Sequence, residues 1–176
     1  MVGAFGAFGN AGGPPKEALN RPIGIVAFSF GFATKEPNSC NFALARAVER
    51  IAKNQKGPVV VVAQWEVASG LPSGIKVDRR VIHHSRPGAY LDSEEVMAQA
   101  SLVFTARDVL KVIPVANPFL HLAKCRQLVA KAGFTPVRRK IGWIGFCPES
   151  IQWWTRGPIR LLAYAVIQKL FGRRGR

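Results

Sequence analysis

One stretch, Val109 to Val137 (VLKVIPVANPFLHLAKCRQLVAKAGFTPV), restricts the folds open to this chain more than any other. Val109, Leu110, Val112, Ile113 and Val115 predict a buried strand, and Ala116-Asn117-Pro118 a turn. A helix is expected next, with Leu120, Leu122, Leu128 and Val129 among Lys124, Arg126 and Lys131, and Gly133 as its C-terminal cap. A short strand from Thr135 to Val137 closes the unit. Strand, turn, helix and strand make the half-unit of an α/β sheet, whose ligands usually sit beyond the C-terminal ends of the strands. His121 falls in the first turn of the helix, just past such an end. Lys124, three residues on, shares its face.

The same alternation runs through the chain. Ile23 to Phe28 predicts a first buried strand, and Val59-Val60-Val61-Val62-Ala63 a central strand buried on both faces. Between them, Asn38 or Ser39 can cap a helix reaching about Lys53, with Phe42, Leu44, Ala45, Val48 and Ile51 on its apolar side. Arg79 to His83 reads as a short strand. Asp92-Ser93-Glu94-Glu95 has capping-box spacing, Asp92 capping and Glu95 reaching back, ahead of a helix with Val96, Met97, Ala100, Val103 and Phe104 as its core stripe. Ile141 to Phe146 reads as a last strand, and Gly157-Pro158 opens a closing helix. The expectation is a single α/β domain, Rossmann-like, with a mostly parallel sheet flanked by helices. Its parts are a flexible Gly/Pro-rich tail over 1–22, the α/β domain over 23–150 and an apolar, basic C-terminal helix over 151–176.

Parallel strands bring their ends to one edge, which gathers the candidate binding residues Ser29, Gly31, Gln64, Glu66, Asn117 and His121. The turn Ser29 to Thr34 holds one glycine, Gly31, with Ser29 and Thr34 as side-chain donors. A plain structural turn accounts for it. Glu66 reads either as a general acid or base or ligand-hydroxyl partner, or as a solvated loop carboxylate. His121 and Lys124 suit an anion, Lys124 as a point charge and His121 as donor or general acid; a histidine capping the helix is the alternative. Adjacent His83 and His84 lack a spaced third ligand, so no metal site is expected. No nucleophile–base–orienter set, complete GxGxxG or Walker loop can be assembled from the sequence.

The wording around His121 resembles one bacterial family. A strand ending in a small polar turn, then His121-Leu122-Ala123-Lys124-Cys125 and a helix stopped by Gly133, is similar to the C-terminal core of the domain-of-unknown-function family typified by YdcF, SanA and ElyC. The usual wording there is His-Met-Pro-Arg-Ala; here Lys124 stands for the Arg and the Pro is absent. The resemblance runs from about Ile23 to the C-terminus. It implies a Rossmann-like fold, an anion-cradling glycine-rich loop at Ser29 to Thr34, of which only Gly31 remains here, and a small-polar-acidic element at Ser93-Glu94-Glu95, whose usual Asn is missing. That element makes Glu94 a further ligand candidate, although helix capping also explains it. The resemblance implies a cell-envelope or membrane-associated protein that binds a small anionic or nucleotide-like ligand, with S-adenosylmethionine as a candidate cofactor.

A net charge of +15 points to a polyanionic partner. From Lys124 onward twelve basic residues face one acid, Glu149. Anionic lipid headgroups and nucleic acid both fit this asymmetry, as does a basic surface kept for solubility. For nucleic acid, Trp143, Trp153 and Trp154 offer stacking faces, and the protein would be a non-enzymatic basic module. For lipid, Arg156, Arg160, Lys169, Arg173, Arg174 and Arg176 surround the closing helix. At ~1.5 Å per residue, Ile159 to Phe171 reaches about 20 Å, short of the ~30 Å needed to span. It therefore packs as core, lies in the interface, or divides its faces between the two. The first residues make a poor signal peptide, lacking a basic start and a continuous apolar run. Cys40, Cys125 and Cys147 are widely spaced, as expected of buried thiols in a reducing cytoplasm. The location this implies is cytoplasmic, with peripheral contact at the inner membrane face.

Overall fold

The computed structural model describes residues 21–33, 37–89 and 91–171. The expected tail (all but 21–22), the donor Thr34 and the basic residues Arg173, Arg174 and Arg176 lie outside the described residues.

Five parallel strands form one sheet in the order β3-β2-β1-β4-β5. They are β1 (Ile23–Ala27), β2 (Val59–Gln64), β3 (Arg79–Val81), β4 (Lys111–Val115) and β5 (Thr135–Pro136). The four longer helices are α1 (Ser39–Lys53), α3 (Ser93–Ala106), α4 (His121–Lys131) and α5 (Pro158–Phe171), and α2 (Trp65–Ala68) is a single turn. The chain is thus α/β and Rossmann-like, with helices flanking the sheet. Strand order reverses between β1 and β4, and that switch point opens a crevice beyond their C-terminal ends.

Local chemistry accounts for most of these elements. The Asn38 side chain caps α1 by accepting from the Asn41 amide at 2.8 Å, and Asp92 caps α3 by accepting from Glu94 and Glu95. Helix α4 ends in a Schellman motif: Gly133, at φ +87°, donates to the Ala130 carbonyl and Phe134 to that of Val129. Ile25, Val26, Val61, Val62, Val112 and Ile113 form the buried centre of the sheet. Gly24 faces Phe104, whose ring would lie 3.0 Å from an added Cβ, so the missing side chain is what lets α3 approach β1.

Several local expectations change. Residues 141–146 form no strand: Gly142 and Gly145 adopt φ of +90° and +80°, which an extended strand cannot accommodate. Their carbonyl partners are side chains instead. Arg50 donates to Lys140 and Ile141, and Asn117 to Gly145. Glu95 does not reach back to its own cap; it accepts from Ser85 and Gln99, and these bonds, Gln99 foremost, hold its carboxyl below the usual range. Phe42 on α1 and Leu110 before β4 are exposed rather than core. Cys40 and Cys147 are joined as a disulfide, so only Cys125 is a free buried thiol among the described residues. Burial, partly offset by Lys124, pushes that thiol well above its ordinary value.

Candidate functional site

A cavity of about 840 Å³ opens over the β1/β4 switch point. Its floor is Ser29, Phe30, Gly31 and Gln64, from the ends of β1 and β2. One side is Asp92 and Ser93 at the start of α3 with His121 and Lys124 of α4, and the other is Trp154, Tyr164 and Lys169 from the C-terminal segment. The volume lies in the range of small-molecule sites, ~300–1,000 Å³.

The floor is held by its own hydrogen bonds. Phe28 N–H continues the ladder to the Val115 carbonyl. The next amides donate to side chains: Ser29 to Gln64 Oε1 at 3.1 Å, Phe30 to Asn41 Oδ1 at 2.8 Å, and Phe32 to Ser150 Oγ at 3.1 Å. Gly31 turns the chain at φ +80°, where an added Cβ would sit 2.9 Å from Ser150 Oγ. Most amides of this turn are therefore already paired within the protein. The start of α4 is similar, with His121 N–H donating to the Phe119 carbonyl and Leu122 N–H to that of Asn117. An anion here would be met mainly by side chains, and Lys124 and Lys169 are the cations that line the cavity.

His121 sits with its ring centroid 6.1 Å from Phe28 and 6.2 Å from Phe30. Burial between these rings, then the charge of Lys124, pushes its pKa down to about 4. At neutral pH the imidazole therefore carries one N–H. Nδ1 is buried with no partner among the described residues, and a buried orphan N–H is rarer than an orphan acceptor. That puts the proton on Nε2, which faces Ser93 Oγ at 3.0 Å. The Ser93 hydroxyl accepts from His121 and keeps its own proton for an acceptor in the cavity. As base of a serine–histidine pair His121 would need Nδ1–H held by an acceptor, and no such group is present among the described residues. The geometry makes Ser93 a donor oriented by His121.

The C-terminal wall is aromatic. Trp154 and Tyr164 stack at 4.5 Å and 11°, and burial raises the Tyr164 pKa. The wall is fixed to the floor: Ile151 N–H donates to the Phe32 carbonyl, and Ser39 donates from backbone and hydroxyl to Glu149 Oε1. Those contacts, the Ser39 hydroxyl first, keep the Glu149 carboxyl below its ordinary range.

Of the residues singled out from sequence, Ser29, Gly31, Gln64, His121 and Lys124 line the cavity, and Lys169, expected at a lipid or polyanion surface, does so too. Asn117 and Glu66 stand behind it. Asn117 is buried, accepting from the Phe119 amide and donating to the Gly145 carbonyl. Glu66 is buried on α2, accepting from Gln64 Nε2 at 3.3 Å, so it is not a solvated loop carboxylate. Glu94 lies beside the cavity in the first turn of α3, and its neighbours Asp92 and Ser93 line it instead. Arg160 is exposed on α5, and Arg156 donates to the Ser150 carbonyl. Sequence reasoning missed Asp92 and Tyr164 as wall residues, and saw Ser93 and Trp154 in other roles. The signal for Ser93 was its place next to a helix cap on the same sheet edge as His121. Among the described residues no group of three His, Cys, Asp or Glu could hold a metal ion. Compared with protein-family models and with curated proteins, the chain matches none.

Proposed function

We propose that the cavity at the β1/β4 switch point binds a small anionic, nucleotide-like ligand, and that the chain is a YdcF/SanA/ElyC-like binding domain of the cell envelope. The observation that carries this reading is one cavity holding a stacked aromatic pair, two lysines and a hydroxyl donor. The Trp154–Tyr164 stack offers a face to a planar base. Lys124 and Lys169 offer charge to a phosphate or carboxylate. Ser93 and Gln127 supply directed polar contacts, and Asp92 suits a sugar hydroxyl. S-adenosylmethionine, with an adenine ring and a carboxylate, fits this chemistry and is the cofactor implied by the family resemblance.

Calorimetric titration with adenosine, AMP and S-adenosylmethionine tests the reading. Binding of AMP or S-adenosylmethionine is expected to exceed that of adenosine. Lys124→Ala, which removes a charge-assisted contact, should weaken it about tenfold, and Trp154→Ala comparably. The reading is refuted if none of the three binds, or if binding survives both substitutions undiminished.

A further inference from the structure

Helix α5 is apolar on two opposite sides, and only one of them faces the domain. Inward, Leu161 is buried and Tyr164 stacks on Trp154. At about 100° per residue, Ile159, Leu162, Val166 and Leu170 form a single stripe on the outer side, and they are 81%, 48%, 56% and 64% exposed. Four large aliphatic side chains in one exposed row exceed the scattered apolar residues usual on a protein surface. Ile167, also exposed, widens the row toward Arg160, and Lys169 borders its other edge; three arginines, Arg173, Arg174 and Arg176, follow in the sequence.

We propose that this outer face of α5 docks in the plane of an anionic lipid bilayer. Charge decides among the occupants an apolar helix face can have. A second copy of the chain would bring another net charge of +15 against the first, with Arg160 and Lys169 at the margins opposed by their own kind. A nucleic acid would satisfy the cations and leave the aliphatic row in water. An anionic bilayer satisfies both: the stripe enters the headgroup–acyl boundary while the flanking cations stay among the headgroups. The fourteen residues of α5 measure ~21 Å at ~1.5 Å per residue, and no helix among the described residues is long and apolar enough to cross a membrane. An in-plane pose is what its length allows. Lys169 also lines the cavity, whereas Arg160 and the aliphatic row do not.

The test is flotation of the full chain with vesicles of phosphatidylcholine alone and of phosphatidylcholine mixed with phosphatidylglycerol, at low and high salt. Val166→Glu and Arg160→Glu, both at exposed positions, are the variants, with circular dichroism to confirm folding. Flotation with the mixed vesicles alone, lost at high salt, is expected. Arg160→Glu reverses one charge near the surface and should lower partitioning by about thirtyfold, and Val166→Glu by at least about tenfold. Equal flotation with both vesicles, flotation with neither, or variants that float like the wild type would overturn the proposal. So would a dimer in lipid-free sedimentation that Val166→Glu dissolves. Displacement of the vesicles by an RNA oligonucleotide that Val166→Glu binds equally well would assign the surface to nucleic acid.

Discussion

Acidification provides a direct reading of the environment of His121. In the folded chain burial holds the imidazole neutral down to about 4, from an ordinary value of 6.5. Between those values the unfolded chain binds a proton that the folded chain refuses, so stability falls as the pH drops through that window. At ~1.4 kcal/mol per unit the whole loss is about 3 kcal/mol, and most of it appears between about pH 7 and pH 4.5. Glu95 and Glu149 have lowered values, so the stability they add is lost only below the ordinary carboxylate range of ~4.3. The window above it belongs to His121. His121→Gln keeps an N–H donor near Nε2 for Ser93 but cannot titrate. Urea unfolding followed by tryptophan fluorescence at a series of pH values should show the wild type losing about 2 kcal/mol more than the variant. His83 and His84 are common to both proteins and cancel in the comparison. If the two lose stability in parallel, His121 is not held neutral, and the assignment of its proton to Nε2 falls with it.

Two further substitutions test how the site is held. Gly31→Ala places a Cβ at φ +80°, 2.9 Å from Ser150 Oγ and 3.0 Å from Thr155 Oγ1; it should cost about 1–3 kcal/mol in urea unfolding and increase proteolytic cutting between residues 147 and 157. Asn117→Ala leaves the Phe119 amide and the Gly145 carbonyl without their partner, and thermal unfolding should register a loss of about 2–4 kcal/mol; a loss in AMP affinity without one in stability would instead make Asn117 a ligand contact.

The sheet and the helices around it were legible because their signals are local. The four-valine run predicts β2 directly, and the caps at Asn38, Asp92 and Gly133 mark helix ends through bonds spanning a few residues. Ser29, Gly31, Gln64, His121 and Lys124 were also within reach, since parallel strands must deliver their ends to one edge. What failed was sequence position taken as a guide to side-chain direction. Asn117 and Glu66 both follow strands, yet each points to a protein partner, Gly145 for one and Gln64 for the other. The stretch 141–146 reads as a strand from its apolar residues, but two left-handed glycines divert it. The C-terminal wall was illegible for a different reason. Its position depends on contacts such as Phe32 with Ser150, 118 residues apart, which no periodicity encodes.

That wall bears on the ligand selection proposed for the cavity. In many parallel α/β sheets the turn after the first strand meets phosphate through free backbone amides, which are part of the sheet itself. Here the amides of Ser29, Phe30 and Phe32 are committed to Gln64, Asn41 and Ser150. The positive charge facing the cavity is divided between Lys124 on α4 and Lys169 on α5. A ligand that uses both lysines therefore senses the placement of α5, and that placement depends on the close fit of Ser150 and Thr155 over Gly31. Under the proposed function, anion recognition rests on a tertiary contact rather than on a loop motif, and the cavity, the charge and the aromatic stack at the switch point need no complete glycine-rich signature.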